Sequence, residues 1–469
     1  MTRYSRSFLS IILGLCSVLF ADWVTTGTDT LTENLLTRKF VAMQSLAVDS
    51  LGTLHAAWIE QVGTGPKTIY YARKPQDSVW SRPEPVAETT ANHLSLAVEP
   101  RTGKVHIAYQ YQWNTVEDLC YATNRTGHWQ RYRLTQDTIL DHNPTLALEE
   151  SLAHIAWITL DAGGAYRIGY ITNRTGHWQR QILAASQLGG FGLGAAPWLS
   201  LEPNGTAHVT YRGGDYPDYH VHHAQNRSAG DTIWFYEVLV TGNPYDYTSA
   251  SVAKDSGELF VVVSGDEGWG MPCHIYYLHR PPNSSQWDPC QLMTASASAS
   301  LRGFAMDRRA IHASWEQING NIATERLYHV TNTTGYWFNS PLRADGRTRG
   351  GALAVGPDHC GHCLVVVRAG SDTTWIGCVH SAPFTAVTEE RESHWFSSSA
   401  RIIRPPCRIG LTGTTPAVIY SVSGRHLATL APSGRELLWD GKDLSGQPVP
   451  TGTYILRQGG SAEAIMLVR

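Results

Sequence analysis

One stretch of the chain occurs twice. Tyr121 to Leu134 reads YATNRTGHWQRYRL, and Tyr170 to Leu183, 49 residues later, reads YITNRTGHWQRQIL. A period of this length restricts the fold to arrays in which one supersecondary unit stacks on copies of itself. Aligned outward from this pair, an apolar run, a Gly turn and a His-started segment recur. They read SLAVDSLGTLHAAW (Ser45 to Trp58), SLAVEPRTGKVHIAY (Ser95 to Tyr109), TLALEESLAHIAW (Thr145 to Trp157) and LSLEPNGTAHVTY (Leu199 to Tyr211). Weaker copies at Ser251 to Val263, Phe304 to Trp315 and Leu353 to Val367 make seven units.

Each unit holds four segments of strand length separated by Gly, Asn, Asp and Pro. Four short strands in forty to fifty residues is the arithmetic of a propeller blade. The expected fold is all-β: a seven-bladed β-propeller over 22–396, then a linker over 397–408 and a small Ig-like β-sandwich over 409–469. Six blades have an outer strand opened by Trp: Trp80, Trp129, Trp178, Trp234, Trp287 and Trp337. The segment Asp22 to Thr26 is the expected outer strand of the seventh, closing the ring, with Trp395 as a competing candidate.

Charged residues are only 16% of the chain and the formal net charge is -3, so no basic surface is available for a phosphate backbone and nucleic acid is not an expected partner. Residues 1–21 carry Arg3 and Arg6 ahead of an apolar run from Phe8 to Phe20, the pattern of a signal peptide. Export to the medium or outer cell surface follows, with no later stretch long and apolar enough to span a bilayer. A monomer is expected.

His55, His106, His154, His208 and His312 share one register at the start of the second strand of their units. Equivalent positions in successive blades spread around a ring, whereas metal ligands must converge, so each imidazole is expected to bond a neighbouring turn. The recurring Trp are expected to plug the interfaces between blades. Asn124, Asn173 and Asn226 sit in sequons but are better read as turn residues. The seven cysteines after the signal peptide are an odd number; Cys273 and Cys290 flank the last two strands of one blade and form the expected disulfide. The run His359-Cys360-Gly361-His362-Cys363, with Cys378, is dense in zinc-type donors, but a second paired-cysteine motif is missing and no metal or cofactor is expected.

Past the repeats, Ser423-Gly424-Arg425, Trp439-Asp440-Gly441, Gly446 to Pro450 and Gly452-Thr453-Tyr454 follow one another in fixed order. These motifs resemble the C-terminal sorting domain of type IX secretion substrates, related to the flagellar hook-capping Ig-like domain, and cover Thr415 to Arg469. The resemblance implies delivery by the type IX machinery. Its motif residues here are Ser423, Gly424, Arg425, Trp439, Asp440, Gly441, Gly452 and Tyr454; the usual terminal lysine is replaced by Arg469. The propeller more loosely resembles secreted sialidase-like (BNR-type) repeat propellers, although Thr123 to Trp129 stands where their Asp box would be.

In a propeller, ligands gather on the face formed by the turns between second and third strands and by the connections between blades. Those segments contain Trp113, Glu117, Asp118, Asp161, Tyr166, Asp215, Tyr216, Tyr219, Asp266, Trp269 and Glu316. Rings beside carboxylates suit sugars. The expected function is therefore a noncatalytic exported propeller that binds a glycan or a surface protein, with Trp113, Asp161, Tyr166, Asp215, Tyr216, Tyr219, Asp266, Trp269 and Glu316 as ligand contacts. The alternatives are a divergent sialidase-like glycoside hydrolase, drawing on Arg212, Arg302 and Arg349, and a structural or adhesive surface protein.

Overall fold

The computed structural model describes residues 29–31, 39–62, 64–90, 93–113, 116–137, 139–160, 163–188, 196–213, 220–226, 228, 232–241, 248–265, 273–294, 299–308, 310–317, 326–332, 337–342, 348–369, 373–383, 401–403, 407–410, 416–421, 426–433, 436–444, 446–449, 452–458 and 461–467. The chain divides into two units, Met1–Thr385 and Ala386–Arg469. Among the described residues, no helix is long and apolar enough to cross a membrane.

The first unit is a seven-bladed β-propeller: seven four-stranded antiparallel sheets. Blade 1 runs Lys39–Val48, Leu54–Val62, Lys67–Lys74 and Glu84–Thr89; blade 2 runs Leu94–Val98, Val105–Trp113, Val116–Thr123 and Gln130–Arg133. Blade 3 comprises Asp141–Glu149, Leu152–Leu160, Tyr166–Thr172 and Gln179–Leu188; blade 4 comprises Trp198–Leu201, Ala207–Gly213, His220–Asn226 and Trp234–Thr241. Blade 5 is Thr248–Ala253, Leu259–Gly265, His274–Arg280 and Gln291–Leu292; blade 6 is Ala299–Asp307, Ala310–Gln317, Arg326–Thr331 and Phe338–Pro341. Blade 7 takes Thr348–Val355, Cys360–Ala369 and Thr373–Pro383, and its outer strand is the amino-terminal Asp29–Thr30.

Circular closure is thus present, a few residues downstream of where the sequence placed it: Asp29 pairs with Cys378 and Thr30 with Gly377. Asp22 to Thr26, Trp395 and the segment 1–21 lie outside the described residues. Closure leaves the last blade no bare edge for another chain to extend.

Burial on both faces shapes the strands. Leu152–Leu160 (LAHIAWITL) is buried at seven consecutive positions because blades pack against each side, so it reads as a near-continuous apolar run rather than an alternation. Outer strands face water; Gln130–Arg133 is polar and largely exposed. Neighbouring inner strands are tied by the hydroxyl that opens each repeat. Leu96 N–H donates to Ser45 Oγ (3.1 Å), Leu146 N–H to Ser95 Oγ (3.0 Å) and Leu199 N–H to Thr145 Oγ1 (3.4 Å).

In blades 1 to 3 the repeated His and Tyr form a relay with the Trp of the following blade. His55 Nε2 lies 3.3 Å from Asp49 Oδ2, His106 Nε2 3.2 Å from Glu99 Oε1, and His208 Nε2 3.0 Å from Glu202 Oε1, each acid sitting in the preceding turn. With Nε2–H of His55 donating to the carboxylate, its Nδ1 accepts from the Tyr71 hydroxyl (2.8 Å), and His154 Nδ1 meets the Tyr170 hydroxyl at 2.6 Å. The Trp of the next blade then packs edge-on against that tyrosine, as in Tyr71–Trp129 (5.5 Å between centroids), Tyr121–Trp178 (5.1 Å) and Tyr170–Trp234 (5.0 Å). Two of these indoles, and that of Trp287, donate back to the previous blade: Trp129 to Glu84, Trp234 to Gln181 and Trp287 to Glu237. The histidines therefore serve the packing of the ring.

The sequon asparagines are turn residues. Asn124 Oδ1 accepts from Val105 N–H (2.8 Å), Asn173 Oδ1 from Ala153 N–H (2.8 Å) and Asn226 Oδ1 from Ala207 N–H (2.7 Å), so each pins the start of a second strand.

In the second unit a five-stranded sheet is ordered Arg401–Ile403, Ser461–Leu467, Gly452–Gln458, Ala417–Ser421 and His426–Leu430, with a three-stranded sheet of Cys407–Gly410, Glu436–Trp439 and Pro432–Ser433. Arg401–Ile403 runs parallel to Ser461–Leu467, so part of the 397–408 stretch expected to be a linker belongs to this unit's sheets. Trp439 meets Tyr454 edge-on at 5.7 Å inside a core with Ala417, Ile419, Leu437 and Leu456.

Candidate functional site

A bulge in the inner strand of blade 3 organises the rim nearest the turns between second and third strands. Pairing slips between His142 and Thr145, and Asn143 adopts φ 51. Bulges re-aim side chains, and they recur beside functional sites. Gln110 of blade 2 fixes this one by accepting Asn143 N–H at Oε1 (3.0 Å).

His142 then reaches across the blade boundary, its Nδ1 2.6 Å from Glu117 Oε2, while Gln110 Nε2 donates to the same oxygen at 2.8 Å. The hydrogen bond from His142 holds the Glu117 carboxyl below the usual carboxylate range, and the Lys67 ammonium adds to that pull. His93, nearby and buried, is pushed down to about 4, first by burial and then by the charge of His142. Beside this group a shallow open cleft of about 260 Å³ is lined by Gln61, Lys67, Glu88, Thr90 and Tyr111, among others, smaller than the roughly 300 Å³ at which small-ligand pockets usually begin. Lys67 Nζ donates to Thr90 O at 3.0 Å and so stands at the cleft wall.

Around the same rim, Asp118, Asp137 and Asp141 bring carboxylate oxygens within 4.8 Å of one another. Asp118 receives Arg133 Nε (2.8 Å) and Nη2 (2.5 Å); Asp141 Oδ1 receives Trp157 Nε1 (2.6 Å); Arg180 pairs with Asp137. Burial raises the carboxyl pKa of both Asp118 and Asp141.

The residues expected to contact ligand are distributed as follows. Trp113 ends the second strand of blade 2, paired with Val116; Tyr166 begins the third strand of blade 3, paired with Leu160 and Leu188. Glu316 is not in an open turn but buried within the second strand of blade 6, held by Arg302 Nε (2.8 Å) and Nη2 (2.6 Å), which removes it from the set of free contacts. Arg212, Arg302 and Arg349 likewise lie in strands rather than loops. Asp161, Asp215, Tyr216, Tyr219, Asp266 and Trp269 lie outside the described residues, as do Ser423, Gly424 and Arg425. In the second unit, Asp440 Oδ1 accepts Lys442 N–H and Gly441, at φ 74, takes Val449 N–H on its carbonyl, so this motif shapes a turn, while Gly452 opens a strand.

One expectation about cysteine changes. Cys273 and Cys290 are thiols, not a disulfide. Tyr277 pairs with Gln291, so continued register puts Cys290 opposite Leu278, five positions from Cys273. At about 3.3 Å per residue the two are roughly 16 Å apart, beyond any disulfide span. The His359 to Cys363 run is also dispersed by strand alternation. His359 Nδ1 bonds Asp307 Oδ1 (2.7 Å) and His362 Nδ1 faces His380 Nδ1 (2.8 Å), while Cys363 is fully buried.

Sequence reasoning missed His142, Lys67 and the Asp137–Arg180 pair. Their only signal was charge placed just ahead of apolar repeat openings, as in Asp141-His142-Asn143-Pro144.

No family model matches the sequence, and no curated protein matches it. Among solved structures it is similar to an ulvan lyase of polysaccharide lyase family 25, solved with -[GlcA(1-4)Rha3S]- bound (11% identity, TM-score 0.51, covering 75% of this chain and 96% of that one). It is also similar to a Hadza microbial sialidase (13% identity, TM-score 0.41, 59% and 63% covered). A third is PorZ, an essential surface component of the type IX secretion system of Porphyromonas gingivalis (13% identity, TM-score 0.42, 89% and 58% covered). The likeness to the ulvan lyase is one of fold alone, and the fold of this chain is a seven-bladed β-propeller.

Proposed function

We propose that this chain is an exported, noncatalytic propeller whose rim over blades 1 to 3 binds an anionic glycan. The observation that carries the reading is the cleft bearing Lys67 and Tyr111 beside the Gln110–Glu117–His142 cluster. A tyrosine ring offers a sugar an apolar face, and an ammonium beside amide and carboxylate groups offers charge and hydroxyl partners. Several described acids elsewhere on the blade rims are buried with one oxygen held by a neighbour: Asp118 by Arg133, Asp141 by Trp157, Glu316 by Arg302 and Glu60 by Trp58. That favours binding over hydrolysis, which needs a carboxyl pair open to the substrate. The fold shared with a glycan-bound ulvan lyase supports the ligand class.

The second unit is proposed as the Ig-like sorting domain that takes the chain through the type IX machinery, on the strength of its motif order and its Trp439–Tyr454 core. Deleting 409–469 should then hold the protein inside the producing cell, and a deletion variant that still reaches the medium contradicts this.

A second reading, cleavage of a uronate glycan by elimination, is favoured by one observation. His142, oriented by Glu117 at 2.6 Å, is a positioned base near a lysine that would neutralise a uronate carboxylate. A glycan array probed with the full chain and with Lys67→Ala and Tyr111→Ala tests the main reading. Binding of acidic glycans that both variants weaken is expected; absence of any glycan signal overturns it.

A further inference from the structure

The three carboxylates between blades 2 and 3 are more than an ion-pair network. Asp118 comes from the third strand of blade 2, Asp137 from the connection, and Asp141 from the inner strand of blade 3, and their oxygens gather within 4.8 Å. Arg133 and Arg180 supply two positive charges against three negative ones. Both guanidiniums hold particular oxygens, and two are left over. Asp118 Oδ1 and Asp141 Oδ2 are buried without a hydrogen-bond partner, in residues 0% and 1% exposed. An orphaned buried carboxylate oxygen costs free energy comparable to a lost charged hydrogen bond, so two within one group of three clustered carboxylates call for a cation.

We propose that Asp118, Asp137 and Asp141 form a binding site for a hard divalent cation, calcium by size. All donors are oxygens, which excludes soft-metal preference. Calcium, the larger ion, accepts irregular carboxylate geometry at ligand distances of about 2.4 Å, whereas magnesium demands a near-ideal octahedron at about 2.1 Å. The ion would clamp blade 2 to blade 3 beside the Glu117–His142 cluster, and it stands whether or not that cluster binds glycan.

Trp157 gives the test an optical handle, since its Nε1 donates to Asp141 Oδ1 at 2.6 Å. The full chain, stripped with chelator, is titrated with terbium, a luminescent stand-in for calcium, under tryptophan excitation, and calorimetry with calcium chloride is run in parallel. Sensitised emission displaced by calcium is expected, with affinity at least about tenfold weaker in Asp137→Asn, which leaves the buried Arg133 pair intact. Asp141→Asn is the second variant, its fold checked by circular dichroism. No calcium heat and no sensitised emission in the wild-type chain overturns the site, as does calcium affinity that both folded variants leave unchanged.

Discussion

Gly169 lies directly opposite Trp157 on adjacent strands of blade 3, and the fully buried indole fills the space a side chain at 169 would need. A Cβ built there would come within 2.4 Å of the ring. Arg180 lies over the same ring, 5.5 Å from its centroid, and the indole Nε1–H is tied to Asp141, so moving the ring disturbs both contacts. Gly169→Ala is therefore expected to destabilise the propeller by about 2 kcal/mol despite the entropy advantage of alanine in a strand. Urea unfolding followed by tryptophan fluorescence reads this, and a midpoint unchanged or raised would show that the ring can move.

The contact from blade to blade through Trp234 has two separable parts. Its ring meets Tyr170 edge-on and its Nε1–H reaches Gln181 at 2.9 Å. Trp234→Phe should cost about 1 kcal/mol and Trp234→Ala about 3, with a coupling of about 1 kcal/mol between Trp234→Phe and Gln181→Ala in a double-mutant cycle. Strict additivity would mean the hydrogen bond contributes nothing.

Asn226 is fully buried, and its Oδ1 accepts from the Ala207 amide. Asn226→Ala strands that amide and should cost about 1 to 3 kcal/mol, seen as a lower melting temperature. Expression in a host that glycosylates secreted sequons should leave this asparagine unmodified, and a glycan found on it by mass spectrometry would contradict the turn assignment.

Acid sensitivity follows from histidines kept neutral in the fold. Burial pushes His154, His223 and His362 down to about 4, against 6.5 in the unfolded chain. Above pH 6.5 both states are neutral at these rings and their contribution is complete. Between 6.5 and 4 the unfolded chain takes up protons that the folded one does not, so stability falls as pH falls, by about 1.4 kcal/mol per pH unit per ring at most. The melting temperature should be flat from pH 8 to 7 and drop steadily from 6 to 4.5. A flat profile through pH 5 would contradict this.

The repeat was legible because blades 2 to 4 spend the same residues on the same tasks: a Ser or Thr between inner strands, a His over its acid, an Asn in the turn, a Trp against the previous blade. Ring closure was legible as a missing strand, but its register was not, since nothing near Asp22 to Thr26 distinguishes it from the Asp29–Thr30 pair that binds Cys378 and Gly377. The rim was largely hidden. Glu117 and His142, or Asp137 and Arg180, meet only because consecutive blades stack, and no local pattern encodes a contact across that boundary. Glu316 was misplaced for a related reason: a strand buried on both faces runs further than its polar ending suggests, and the exposed Arg302 closes over it.

The central claim is that the rim over blades 1 to 3 binds an anionic glycan and leaves it whole. The most direct measurement is equilibrium binding of the full chain to a defined acidic oligosaccharide, with mass analysis of the sugar recovered afterwards. The account predicts saturable binding, weakened at least about tenfold by Lys67→Ala, and recovery of the oligosaccharide at its original mass. Shortened products with unsaturated ends, lost in His142→Ala, would contradict it and make the chain a lyase.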